Sequence, residues 1–125
     1  MAEEKKKVVC IEDEPEMIDL VKLILSRRGY DVVGAMGGRE GLDAIEAESP
    51  DLVLLDLMMP APNGVETLKT LRKTHHDLEI VIVTAYFDSR MMDEALEFGP
   101  ITVLKKPVKK DALVSLLAGH SARAS

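Results

Sequence analysis

A chain of 125 residues, 46% hydrophobic and 30% charged, has the size of one ordinary domain with one core and is too short for a second, separate output domain. That balance belongs to a folded, water-soluble protein rather than a disordered one. A net charge of -6 argues against a general nucleic-acid surface, which is normally basic, and no apolar stretch approaches the roughly 20 residues of a membrane span.

The first seven residues, Met1-Ala2-Glu3-Glu4-Lys5-Lys6-Lys7, lack the apolar core of a secretory signal, so a cytoplasmic location is expected. Residues 8–11 form the first apolar run and end in Glu12-Asp13. Cys10, the one cysteine, lies inside that run and reads as a small core residue, with no internal disulfide available. Glu14-Pro15 opens a helix, because proline is tolerated in the first turn. Met17, Leu20, Val21, Ile24 and Leu25 follow helical spacing, and Gly29 supplies the stop.

A second strand is predicted over 30–35, with Val32 and Val33 at its centre. After Gly37-Gly38 comes a helix carrying Leu42, Ala44 and Ile45, which ends near Ser49-Pro50. The third strand, 52–56, is apolar until Asp56, and the loop after it contains Pro60, Pro62 and the turn-forming pair Asn63-Gly64. Val65, Leu68 and Leu71 mark the next helix; adjacent His75-His76 at its end point in different directions and read as solvated. A fourth strand over 80–84, a helix over 89–98, a fifth strand over 101–104 and a helix over 111–117 complete the chain.

Strands alternating with helices imply an α/β fold, a five-stranded parallel sheet with helices on both faces, and the continuous apolar strands fit burial on both sides. No glycine-rich nucleotide-binding loop follows a strand. Four strand ends carry chemistry: Glu12-Asp13, Asp56, Thr84 and Lys105-Lys106. In an open α/β sheet these converge in the crevice beyond the carboxyl ends of the strands, where such sheets place their ligands. Three carboxylates repel one another and become stable in ionised form when a hard cation binds; with carboxylates and no cysteine or histidine ligands at hand, Mg2+ is the expected ion. Lys106 adds a cation able to pair with a carboxylate or a phosphoryl oxygen, and Thr84 adds a hydroxyl donor. Met58, Met59 and Met92 read as packing residues.

Glu12-Asp13-Glu14-Pro15, Asp56-Leu57-Met58-Met59-Pro60 with Gly64, Thr84-Ala85 and Lys106-Pro107, taken together in this order, resemble the receiver domains of two-component response regulators over about 8–117. The resemblance implies a flavodoxin-like strand order 2-1-3-4-5. It implies that Asp56 accepts a phosphoryl group from the phosphohistidine of a sensor histidine kinase or a histidine phosphotransfer protein. Asp13, Asp56 and the main-chain carbonyl of Met58 would hold Mg2+, with Glu12 acting through water. Thr84 and Lys106 would contact phosphoryl oxygens, and the Lys106-Pro107 peptide would be cis. It further implies a switch that catalyses its own phosphorylation and dephosphorylation, signalling through a downstream protein or a second copy of the chain by way of residues 89–117.

The sequence departs from the family pattern in three places. Val103 stands at the usual aromatic switch position, leaving Tyr86 or Phe87 as alternative reporters. Asn63 stands where an acid is common, a change expected to affect only the turn, and Glu12 is one methylene longer than the commoner aspartate. A metal-dependent α/β phosphatase or phosphotransferase also uses a strand-end aspartate, but it expects a second acid at position 58, which is Met. A non-phosphorylated interaction module of the same fold is the other alternative.

Overall fold

The computed structural model describes residues 5–86, 89–99 and 101–124, from 119 onward by backbone alone. Five strands alternate with five helices: β1 (Lys6–Ile11), α1 (Pro15–Ser26), β2 (Tyr30–Ala35), α2 (Gly38–Glu48), β3 (Leu52–Asp56), α3 (Gly64–Thr74), β4 (Glu79–Thr84), α4 (Arg90–Leu96), β5 (Thr102–Lys105) and α5 (Lys110–Ala124). The strands form one sheet in the order β2-β1-β3-β4-β5, and every neighbouring pair is parallel. The expected topology is therefore present.

Because successive side chains of a strand point to opposite faces, the apolar strands build two cores at once. Val9, Ile11, Val53, Leu55, Ile80 and Ile82 meet Ile45 of α2, Leu68 and Leu71 of α3, and Met92 and Ala95 of α4 on one face. Val8, Cys10, Leu52, Leu54, Val81, Val83 and Leu104 meet Ile18, Val21, Ile24 and Leu25 of α1 and Leu113 and Leu117 of α5 on the other. With both faces covered, uncompensated polar groups are left to the strand ends.

Several boundaries differ from the sequence expectation. In α1 the buried stripe is Ile18, Val21, Ile24 and Leu25, whereas Leu20 remains 38% exposed. Apolar residues lie on more than one side of this helix, so spacing alone did not choose the buried side. Helix α4 is shorter than the 89–98 segment: Ser89 is its N-cap and Leu96 its last residue. Helix α5 begins one residue earlier than expected and runs on to Ala124.

The segment read as a loop through Asn63-Gly64 is a helix start. Asn63 accepts a hydrogen bond from the Glu66 amide, and the Glu66 carboxylate accepts one from the Asn63 amide, a reciprocal capping box. Asn63 thus anchors α3 rather than only shaping a turn. Gly64 follows at close range to the end of β3: a Cβ there would lie 2.4 Å from both the Asp56 carbonyl oxygen and the Leu57 Cα. Both obstacles are main chain and cannot swing aside. Gly64→Ala is therefore expected to destabilise the fold by about 1–3 kcal/mol through overpacking, more than the roughly 1 kcal/mol expected for losing the cap in Asn63→Ala. Urea unfolding of the two variants checks the order.

Candidate functional site

The carboxyl ends of β1, β3, β4 and β5 assemble a charged cluster from residues far apart in sequence. The Glu12 amide donates to the Ala35 carbonyl at 3.0 Å, carrying the pairing of β1 with β2 one residue past the strand. Its side chain is 2% exposed. Asp13 follows, half-buried. Asp56 closes β3 and is also 2% exposed. One of its oxygens, Oδ1, accepts from the Met58 amide at 3.1 Å, which fixes the carboxylate against its own loop. Glu12, Asp13 and Asp56 each offer an oxygen within 4.8 Å of the others.

Lys106 reaches the cluster from the turn after β5. Its amide donates to the Thr84 carbonyl at 2.8 Å, and the peptide it forms with Pro107 is cis, as is Ala61-Pro62. The ammonium nitrogen lies 3.1 Å from Glu12 Oε2 and 3.4 Å from Asp56 Oδ2. Glu14 contributes a further oxygen at 3.5 Å. Sequence reasoning read Glu14 only as part of a helix entry; its place directly before Pro15, at the mouth of the site, was the available signal. Thr84 ends β4, is buried, and its hydroxyl accepts from the Tyr86 amide at 3.0 Å. Met58 is exposed at the rim.

The charges do not balance within this pocket. Burial and the neighbouring Asp56 carboxylate together push the Glu12 carboxyl up to about 8, against the opposing pull of Lys106. Burial would lower the Lys106 ammonium, but Glu12 and Asp56 outweigh it and hold its proton more tightly than usual. An all-oxygen set of clustered carboxylates, one of them pushed up by burial and a like-charged neighbour, suits a hard divalent cation and not zinc. Cys10, buried directly beneath, has its thiol pushed up to about 12, chiefly by burial. It is a packing residue, as expected, rather than a nucleophile.

A family profile described as the response regulator receiver domain matches residues 8–118. The chain belongs to this family. Among relatives of the receiver, Sporulation initiation phosphotransferase F of Bacillus subtilis is 32% identical over 108 residues, covering 86% of this chain and 87% of that protein. Transcriptional regulatory protein CpxR of Escherichia coli is 37% identical over 109 residues, and there the chain spans only 46% of the longer protein. The Probable C4-dicarboxylate response regulator DctR of Bacillus subtilis is likewise spanned over about half its length, 51%.

Solved structures share the receiver fold. Vibrio cholerae chemotaxis protein CheY4 superposes with a TM-score of 0.86 at 26% identity, covering 92% of this chain and 98% of that one. A receiver domain from Methanospirillum hungatei gives a TM-score of 0.87 at 28% identity, covering 94% of each. Phosphorylation and Mg2+ are properties of this family.

The raised Glu12 carboxyl has a consequence for stability. Its native pKa of about 8 lies above the ordinary value of 4.5, so between these two the folded chain binds more protons than the unfolded one and stability falls as pH rises. The contribution is complete below the ordinary value and lost as pH passes through the native one. In the metal-free receiver, urea midpoints are expected to decrease from about pH 6 to about pH 9, with a slope of up to about 1.4 kcal/mol per pH unit. Glu12→Gln should flatten that dependence.

Proposed function

We propose that Asp56 is the phosphoacceptor of this receiver, taking the phosphoryl group from the phosphohistidine of a sensor kinase or a histidine phosphotransfer protein. The observation that carries this reading is the setting of the Asp56 carboxylate: one oxygen is held by the Met58 amide, the other faces Lys106, and Glu12 and Asp13 stand alongside.

In the transfer step an Asp56 oxygen attacks phosphorus as the phosphorus–nitrogen bond of the donor breaks. The bonding electrons stay with the imidazole, which takes up a proton and leaves neutral, and an acyl phosphate remains. Glu12, Asp13, Asp56 and the Met58 carbonyl would hold Mg2+, which when bound would supply positive charge to offset the charge of the transferring group. Lys106 keeps its proton throughout, held by Glu12 and Asp56 before transfer and free to pair with a phosphoryl oxygen afterwards. The Thr84 hydroxyl, an acceptor in its bond with Tyr86, retains its own hydrogen to donate to the same group. The chain therefore promotes its own phosphorylation and, by the same cluster, the hydrolysis that resets it. Its output is a changed affinity of residues 89–117 for a downstream protein or a second copy of the chain.

Incubated with a small-molecule phosphodonor and Mg2+, the wild-type receiver is expected to gain one phosphoryl mass, and Asp56→Asn none, because an amide oxygen is a poor nucleophile. Full incorporation in the variant would move the acceptor elsewhere. Asp13→Ala should weaken Mg2+ binding by about tenfold or more in calorimetric titration while leaving the unfolding transition cooperative. Unchanged Mg2+ affinity would remove Asp13 from the ligand set.

A further inference from the structure

Val103 is a half-buried aliphatic residue packed on the α2–α4 side of the sheet, so it offers no ring to turn inward. Tyr86 does not supply one in its place: its side chain is 58% exposed. Phe87 lies outside the described residues. The main chain of Tyr86, by contrast, stands between the site and a helix. Its amide donates to Thr84 Oγ1 at 3.0 Å, and its carbonyl accepts from the Ser89 hydroxyl at 3.1 Å. The same Ser89 oxygen then accepts from the Met92 amide at 3.1 Å, capping α4. Three consecutive hydrogen bonds thus run from a candidate phosphoryl-binding hydroxyl to the first turn of α4.

The other end of α4 is tied elsewhere. Arg72 of α3 donates to the Phe98 carbonyl at 3.1 Å and to the Leu78 carbonyl at 2.8 Å, fixing the far end of α4 to the α3–β4 connection. Met92 and Ala95 hold one side of α4 in the core, whereas Arg90 at its start is exposed and Ser89 half-buried, which leaves a pivot of the first turn about the Met92 side chain as the accessible motion. The open groove lined by Met58, Tyr86, Ser89, Arg90 and Met91, about 460 Å3 in volume, gives that turn space.

We propose that Ser89 is the positioning residue through which the state of Thr84 reaches helix α4. The proposal rests on the reading that Thr84 turns its hydroxyl to a phosphoryl oxygen. When the Thr84 side chain rotates to do so, it carries Oγ1 away from the Tyr86 amide, the Tyr86 carbonyl shifts, and the Ser89 hydroxyl moves with it. The α4 cap is thereby re-aimed while Arg72 holds the far end. An ordinary N-cap needs only an oxygen that accepts. Ser89 also donates, and that second bond is what joins the cap to the site.

The two roles separate by substitution. Ser89→Thr keeps donor and acceptor; Ser89→Asp keeps the capping acceptor but, ionised, has no proton for the Tyr86 carbonyl; Ser89→Ala has neither. With the full chain, Mg2+ and beryllofluoride as the phosphoryl mimic, amide NMR shifts are read at residues 90–96 and at Asp13, Asp56 and Lys106. Wild type and Ser89→Thr should shift at both places. Ser89→Asp should keep the shifts around Asp56 while those in α4 fall to less than about half, with α4 hydrogen exchange no faster than in wild type. Ser89→Ala should lose the α4 response and exchange faster. Shifts in α4 that survive intact in Ser89→Asp would overturn the relay and leave Ser89 a plain cap. Wild-type shifts around Asp56 with none in α4 would overturn the relay alone. No shifts around Asp56 or Lys106 in wild type would overturn the phosphorylation reading, and the relay with it.

Discussion

Lys106 stands 3.1 Å from one buried carboxylate and 3.4 Å from another, and with Asp13 close to both acids and Glu14 3.5 Å from the ammonium the local count is four carboxyl groups against one ammonium. Much of the surrounding structure serves to hold that imbalance. A parallel sheet covered on both faces has no place for ionised groups except at the strand ends. The order β2-β1-β3-β4-β5 then sets the ends of β1 and β3 side by side. Burial and repulsion from Asp56 push the Glu12 carboxyl up to about 8. A bound divalent cation would favour its ionised form, so metal affinity in this site should be coupled to pH.

Besides the Lys106 ion pairs, main-chain hydrogen bonds set the residues of the cluster in place. The Glu12 amide bonds Ala35, the Lys106 amide bonds Thr84, and the Asp56 carboxylate bonds the Met58 amide. On the far side of that loop, the Gly64 amide donates to the Leu57 carbonyl at 3.0 Å, and the absent Cβ of Gly64 lets α3 start against the last residue of β3. The Asn63–Glu66 capping box then secures the helix in that position. Cluster, loop and helix start are consequently one mechanical unit, and a substitution at Gly64 should disturb the site as well as the fold.

Helix α4 has the opposite design, because it is short and fastened at its two ends to different parts of the molecule. Arg72 ties one end to the α3–β4 connection, and Ser89 ties the other through Tyr86 to Thr84. Only the second tether leads to the charged cluster. The receiver family provides the fold and the general chemistry, and this pair of tethers runs through the side chains of Arg72 and Ser89. The relatives also differ in extent, since the chain spans most of a phosphotransferase but about half of two longer regulators.

The alternation of apolar runs with helical periods was enough to give the α/β class, because each period reports which side of a segment is buried. The same runs, each ending in a polar residue, were enough to name Glu12, Asp13, Asp56, Thr84 and Lys106, since a charge directly after a buried strand has few places to go. Capping at Asn63 was also written in the sequence, as Asn followed three residues later by Glu, but the neighbouring Pro60, Pro62 and Gly64 argued for a loop more strongly. Other features were decided only by the tertiary structure. Leu20 is exposed and Ile18 buried because packing against the sheet selected one side of an apolar helix with several choices. Glu14 joined the cluster because the Lys106 side chain comes within 3.5 Å of it across 92 residues of sequence. The Glu12 carboxyl is pushed up because burial and Asp56 together outweigh Lys106, and Ser89 bonds both the Tyr86 carbonyl and the Met92 amide, groups that only the folded chain brings to one hydroxyl. Periodicity carries the local choices, whereas burial, distance and the pull of neighbouring charges exist only once distant segments have been brought together.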